Sequence, residues 1–242
     1  MSYVFLQCRH ERCRFRFPAS AEERNALACP RCGGDVELAA ETVKGNPARP
    51  KSATDDLTLV GLLDNIRSIH NVGSMFRSAD GAGVGHLYLG GITATPEHSR
   101  LAKTALGANE NVPWSYYPNG LDAVAELRAN DFQLWALENL AVPNDEASPP
   151  PQVPRKLALV VGNERAGIDP VILSECDALL SLPMAGRKSS LNAAVAFGIA
   201  LYWVRYGKIL APIPNRRSGE QHDNDGQAGE HADRHDLGRR FG

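Results

Sequence analysis

The sequence predicts an α/β protein: a mostly parallel sheet with helices on both faces, preceded by a small cysteine-bearing segment. Three observations predict it. From residue 57 onward, short runs rich in Leu and Val alternate with stretches of helical periodicity. Four of the five cysteines fall within residues 1–40. From residue 212 the chain is rich in Gly, Asp, Arg and His and nearly empty of large apolar side chains, a composition that cannot offset its ordering entropy. The implied division is 1–45 for the cysteine segment, 46–56 for a linker, 57–211 for the α/β domain and 212–242 for a disordered tail.

Taken in order, the apolar runs at 57–64, 86–90, 132–138, 157–162 and 178–182 are expected strands, short and rich in Leu and Val as strands buried on both faces are. A further extended piece is expected within 112–117. Helical patterns cover 72–82, 97–106, 121–130, a short piece after Pro170, and 191–206. The last is apolar nearly all round, which suits burial in a core or an interface. Prolines make 142–154 a loop.

Composition narrows the class. The 242 residues are 43% hydrophobic and 22% charged, ordinary values for a globular chain. Residues 1–7 are too short for a signal peptide, and the apolar stretch 191–204 is interrupted by Asn192 and shorter than the roughly 20 residues needed to cross a bilayer. A cytoplasmic protein without a membrane partner is expected. The net charge of −2 hides an uneven distribution. Residues 1–51 carry nine Lys/Arg against six Asp/Glu, led by Arg9, Arg12, Arg14 and Arg16; residues 52–212 carry twelve against sixteen. A local basic patch of this kind can dock phosphates.

Cys8, Cys13, Cys29 and Cys32 follow the pattern C-x4-C-x15-C-x2-C. Two close pairs of thiolates can close a tetrahedral site around Zn2+, each pair supplied by one turn. The second pair, Cys29-Pro30-Arg31-Cys32-Gly33-Gly34, has the glycines such a turn needs. The first is wider than usual, which leaves His10 as an alternative ligand. A segment of this size needs a staple to fold, and four protein ligands make the zinc structural. Cys176 stands alone and reads as a small buried apolar residue.

Gly81-Ala82-Gly83-Val84-Gly85 resembles a nucleotide loop in composition only. A dinucleotide fingerprint follows a strand and opens a helix; these glycines end a helix and precede a strand, so they read as a helix C-cap.

Three other stretches carry chemistry. Asn71-Val72-Gly73-Ser74-Met75-Phe76-Arg77 follows a strand, with Asn71 expected as a helix N-cap and Arg77 as a planar donor fork for phosphate. Gly162-Asn163-Glu164-Arg165-Ala166-Gly167 sets a carboxylate between glycines after a buried strand. Leu182-Pro183-Met184-Ala185-Gly186-Arg187-Lys188-Ser189-Ser190-Leu191-Asn192 runs from strand through a basic turn to the start of the apolar helix. Each alone is an ordinary cap or turn.

In order and spacing, the three together resemble the motifs of the SPOUT superfamily of RNA methyltransferases, in its SpoU (TrmH-type) branch: N-x-G-x-x-x-R, G-x-E-x-x-G and I-P-M-x-G-x-x-x-S-L-N. Leu182 replaces the usual Ile, and Ala193 and Ala194 stand where Val and Ser are usual. The resemblance covers about residues 57–207 and includes Lys103–Ala108 and Val112-Pro113-Trp114. It implies a C-terminal trefoil knot, a homodimer, and S-adenosylmethionine as cofactor, held by Leu137, Glu138, Leu140, Gly162, Leu182, Met184, Ser190 and Leu191. It implies methylation of a ribose 2′-hydroxyl of tRNA or rRNA, with Asn71, Arg77, Glu164, Ser190 and Asn192 at the active site. A guanidinium stays protonated, so Arg77 is expected as a clamp on phosphate or alkoxide rather than a base. The alternative is a non-catalytic RNA-binding or assembly protein that keeps the fold. The intact active-site positions count against it. A zinc-ribbon DNA-binding regulator would need a recognition helix or basic stripe, and neither is found.

Overall fold

The structure is a computed structural model that describes residues 2–22, 27–42, 56–139 and 152–207. The expected tail, most of the expected linker and Leu140 lie outside the described residues. So does the path between residues 140 and 151, and with it the expected knot. The chain divides into two compact units, 1–51 and 52–242.

In the first unit, strands β1 (Tyr3–Cys8), β2 (Arg16–Ser20) and β3 (Val36–Glu41) form an antiparallel sheet in the order β2-β1-β3. Side chains of β1 alternate by the two-residue period of a strand. Val4, Leu6 and Cys8 are buried, with Ala19 beside them, whereas Tyr3 and Phe5 face outward.

The second unit runs β4 (Thr58–Asp64), α1 (Ile69–Ala82), β5 (His86–Gly90), α2 (Ser99–Ala105), α3 (Ala108–Asn111), β6 (Trp114–Tyr117), α4 (Gly120–Ala129), β7 (Gln133–Leu137), β8 (Lys156–Val161), α5 (Pro170–Ser174), β9 (Ala178–Leu180) and α6 (Ala193–Tyr206). Its six strands are parallel throughout, in the order β6-β5-β4-β8-β7-β9. Every expected strand is present. The expected helix at 97–106 ends at Leu106, which takes a left-handed conformation (φ 51°), and the short α3 follows it.

Both faces of the sheet are covered, which is why its strands read as unbroken apolar runs. Leu59, Leu63, Leu87, Leu89, Trp135, Leu159 and Val161 pack with α1, α2, α3 and α6. Val60, Leu62, Tyr88, Leu134, Ala136 and Val160 pack with α4 and α5. Gly61 makes room for α6: a Cβ there would lie 3.0 Å from the Phe197 ring. Arg205, near the end of α6, is buried and donates to the carbonyls of Ala82 and Gly83 at the end of α1 and of Leu57 before β4. Gly83 is the C-cap of α1 (φ 66°), as its place in the sequence predicts.

From β4 the chain proceeds outward through β5 and β6, then returns to the other side of β4 for β7, β8 and β9. The order therefore reverses between β4 and β8. In open α/β sheets the crevice beyond the strands' carboxyl ends at such a point is where ligands bind.

Candidate active site

A cavity of about 310 Å3 lies at that point. Its walls come from four strand ends: Arg67, Ser68 and Asn71 after β4; Leu137, Glu138 and Asn139 at β7; Val161 to Glu164 at β8; and Leu182, Met184, Ser190 to Ala193 and Ala196 after β9. The size suits a small ligand. Leu137, Val161, Leu182, Met184 and Leu191 supply apolar surface, and Glu138 and Glu164 supply two carboxylates.

One hydrogen-bonded line connects the three sequence motifs. Glu164 accepts from the backbone N–H groups of Arg67 (2.9 Å) and Ser68 (2.9 Å) and from the Asn71 amide (2.8 Å). The Asn71 carbonyl oxygen accepts from the Asn192 amide at 3.0 Å. The Asn192 side-chain oxygen caps α6 by accepting from Ala194 N–H (2.9 Å) and Val195 N–H (3.3 Å). Partial burial alone would raise the Glu164 pKa; the Arg67 and Ser68 N–H groups and the Asn71 amide outweigh it and hold the carboxyl below its ordinary value. Glu164 is thus an ionised anchor for the loop after β4, with both oxygens engaged, and a poor general base.

Asn71 is not the N-cap that the sequence predicts. Ser68 caps α1, with its hydroxyl accepting from Asn71 N–H, and Asn71 lies within the first turn. Its side chain is taken by partners far along the chain. Gly162 is required by packing: a Cβ there would sit 2.4 Å from backbone atoms of Gly167 and Ile168, where the loop doubles back. Gly73 serves helix contact rather than a ligand, since a Cβ would lie 2.0 Å from Thr104 Oγ1 of α2. Glu138 accepts from Ile168 N–H at 3.2 Å, and Asn139 bonds the Ser189 carbonyl and Ser181, tying the strand end to the loop after β9.

Of the residues singled out in the sequence, Asn71, Leu137, Glu138, Gly162, Glu164, Leu182, Met184, Ser190, Leu191 and Asn192 line this one cavity. Arg77 does not. It is exposed on α1, six residues beyond Asn71, which rotates it about 120° away around the helix. Sequence reading missed Arg67, whose exposed side chain lines the cavity mouth. Its position in the loop directly after a strand was the available signal.

In the first unit, the sulfurs of Cys8, Cys13, Cys29 and Cys32 all lie within 4.8 Å of one another, with Cys8–Cys32 at 3.5 Å and Cys13–Cys29 at 3.8 Å. Four sulfurs about 2.3 Å from a tetrahedral zinc would stand about 3.8 Å apart. Gly33 (φ 73°) makes the turn of the second pair, its N–H donating to the Cys29 carbonyl. His10 is not in the cluster; its carbonyl accepts from Cys13 and Arg14 N–H, which closes the wider first turn.

Fold and cavity together define a parallel α/β protein with a ligand crevice at its topological switch point. Residues 58–202 match the SpoU rRNA methylase family, and the chain belongs to it. It is 34% identical over 148 residues to the 23S rRNA (guanosine(2553)-2′-O)-methyltransferase RlmP of Bacillus subtilis, covering 60% of this chain and 56% of that one. The structure resembles an AdoMet-bound rRNA methyltransferase from Sinorhizobium meliloti (TM-score 0.54, 29% identity, 65% of this chain and 57% of that one). It also resembles the TrmH/SpoU tRNA modifying enzyme of A. aeolicus (TM-score 0.53, 28% identity, 61% and 73%). The chain spans 56% to 60% of the length of the curated relatives from Bacillus subtilis and Salmonella typhi.

Proposed function

We propose that this protein transfers a methyl group from S-adenosylmethionine to a ribose 2′-hydroxyl of RNA. The observation that carries the reading is the line Glu164–Asn71–Asn192, which holds three motif loops around one cavity at the switch point. The names of the relatives point the same way. S-adenosylmethionine brings a methyl group on a sulfonium, already a good leaving group. The protein's work is therefore largely orientation. Leu137, Leu182, Met184 and Leu191 offer apolar surface for an adenosine, and the carboxylates of Glu138 and Glu164 suit a ligand that carries positive charge. Ser190 and Asn192 line the same cavity and are the groups beside which a ribose would be placed. Arg77, outside its own cavity, serves as a clamp on the RNA phosphate.

A homodimer is part of this proposal. α6 buries Phe197, Ala200, Leu201 and Val204 but leaves Val195, Ile199, Tyr202 and Trp203 exposed on an apolar groove shared with Ser74 and Ser78 of α1. A second copy of this chain is the occupant that fits, and Arg77, three residues from Ser74, then lies beside the interface. A structural Zn2+ held by Cys8, Cys13, Cys29 and Cys32 completes the reading, and its thiolates suit a reducing cytoplasm.

The test is incubation of the protein with methyl-labelled S-adenosylmethionine and under-modified total RNA, followed by digestion to nucleosides. Label in 2′-O-methyl nucleosides is expected, and separating tRNA from rRNA names the substrate. Label on bases, or none, overturns the reading.

A further inference from the structure

The outward face of the N-terminal sheet leaves aromatic rings open to solvent. Tyr3 (51% exposed) and Phe5 (37%) sit two residues apart on β1, the central strand. The residues paired with them are small: Ser20 opposite Tyr3, and Pro18 and Ala40 on either side of Phe5. Among the described residues, no large apolar side chain is paired with either ring. Arg16 lies over one of them, its guanidinium carbon 5.9 Å from the Phe5 ring centroid. Among the described residues, the unit's apolar core is Val4, Leu6 and Ala19 with a few half-buried neighbours. A unit this small gains most from burying every large apolar side chain it has. The unit also exposes Phe15 and Leu38. Tyr3 and Phe5 are set apart by standing side by side on the central strand with a guanidinium over one ring, an arrangement that points to a role outside folding.

We propose that Tyr3, Phe5 and Arg16 form a platform on which unpaired bases of RNA stack, with Arg16 also meeting the phosphate backbone. This rests on the RNA reading above. Side chains two residues apart on a strand stand about 7 Å apart, about twice the 3.4 Å rise between stacked bases. Bases held at that spacing are splayed, which a single strand permits and a duplex does not. The occupant is set by charge as well as by the rings: residues 1–51 carry nine Lys/Arg against six Asp/Glu, while the second unit is acidic. Arg16 makes no ion pair among the described residues, in contrast to Arg9, which meets Glu37 at 3.4 Å.

The experiment uses the full chain and a labelled oligoribonucleotide of about ten nucleotides, single-stranded or annealed to its complement, read by fluorescence anisotropy. Phe5→Ala and Phe5→Leu are each expected to weaken single-strand binding about tenfold, with duplex binding and S-adenosylmethionine affinity unchanged. Phe5→Trp is expected to restore it. Binding by Phe5→Leu at the wild-type level would mean an apolar patch without stacking, and would overturn the platform. So would a change of oligomeric state in Tyr3→Ala/Phe5→Ala with RNA affinity intact, which would make the face a protein contact. Wild-type protein that neither binds nor methylates RNA would sink the functional reading itself. Full methylation with no dependence on these rings for binding would sink only the platform.

Discussion

Replacing Glu164 by Gln keeps the side chain's shape and removes its charge, so it isolates what the carboxylate does. Glu164 accepts three N–H bonds of 2.8–2.9 Å on two oxygens. A glutamine has one acceptor oxygen. At best it keeps Ser68 and Asn71 and turns its own amide N–H toward the Arg67 N–H. One charge-assisted bond, worth about 1.5–3 kcal/mol, is then lost. The Arg67 N–H is close to solvent and water takes up part of that loss, so the expected cost is about 2 kcal/mol. The three tryptophans, Trp114, Trp135 and Trp203, all lie in the second unit, so urea unfolding followed by their fluorescence reads this unit directly. The pH dependence carries a sign. The folded pKa of Glu164 lies below its ordinary value, so its stabilisation is fully present above the ordinary carboxyl range. It fades as pH falls through the lower, folded value. The gap between wild type and Glu164→Gln is therefore expected to be constant near neutral pH and to narrow only in acid. Equal stability at neutral pH, or a gap that widens on acidification, would refute the anchoring role.

Arg77→Ala is expected to abolish turnover while S-adenosylmethionine affinity, measured by calorimetry, survives, because Arg77 lies outside the cavity wall. Gly162→Ala should destabilise the second unit by roughly 2 kcal/mol or more in urea unfolding, since its Cβ would meet Gly167 and Ile168 backbone at 2.4 Å. Purified protein should hold about one zinc per chain by metal analysis, and Cys29→Ser should lose it together with the fold of the first unit. Trp203→Glu should shift the protein from dimer to monomer in sedimentation, leaving S-adenosylmethionine binding in place.

The sheet was legible because its inner strands, β4, β5, β7 and β8, are covered on both faces, which turns them into largely apolar runs. α3 escaped notice because it is four residues long and follows a left-handed Leu106, a backbone choice that leaves no periodic mark. At the site, residue types and spacing picked out the motif loops, but not how they meet. Asn71 reads locally as a helix cap and is instead held by Glu164 and Asn192, 93 and 121 residues away. Ser68 takes the cap because it precedes the first helical residue and Asn71 is already committed. Gly73 is fixed by a contact with Thr104 on the neighbouring helix, which the motif itself does not show. Arg77 belongs to the motif in sequence, yet helix rotation turns it from the cavity, and Arg67, outside the motif, takes a place at the mouth. Each difference arises from a contact between segments that local pattern cannot encode.

The central claim is methyl transfer to a ribose oxygen, and alkaline hydrolysis of RNA methylated by this protein tests it most directly. Alkali cleaves RNA through attack by the 2′-oxygen on the adjacent phosphate, so a methylated 2′-oxygen protects that linkage. Methyl label recovered in alkali-stable dinucleotides is the predicted result. Label released wholly in mononucleotides would place the methyl group on a base and contradict the account.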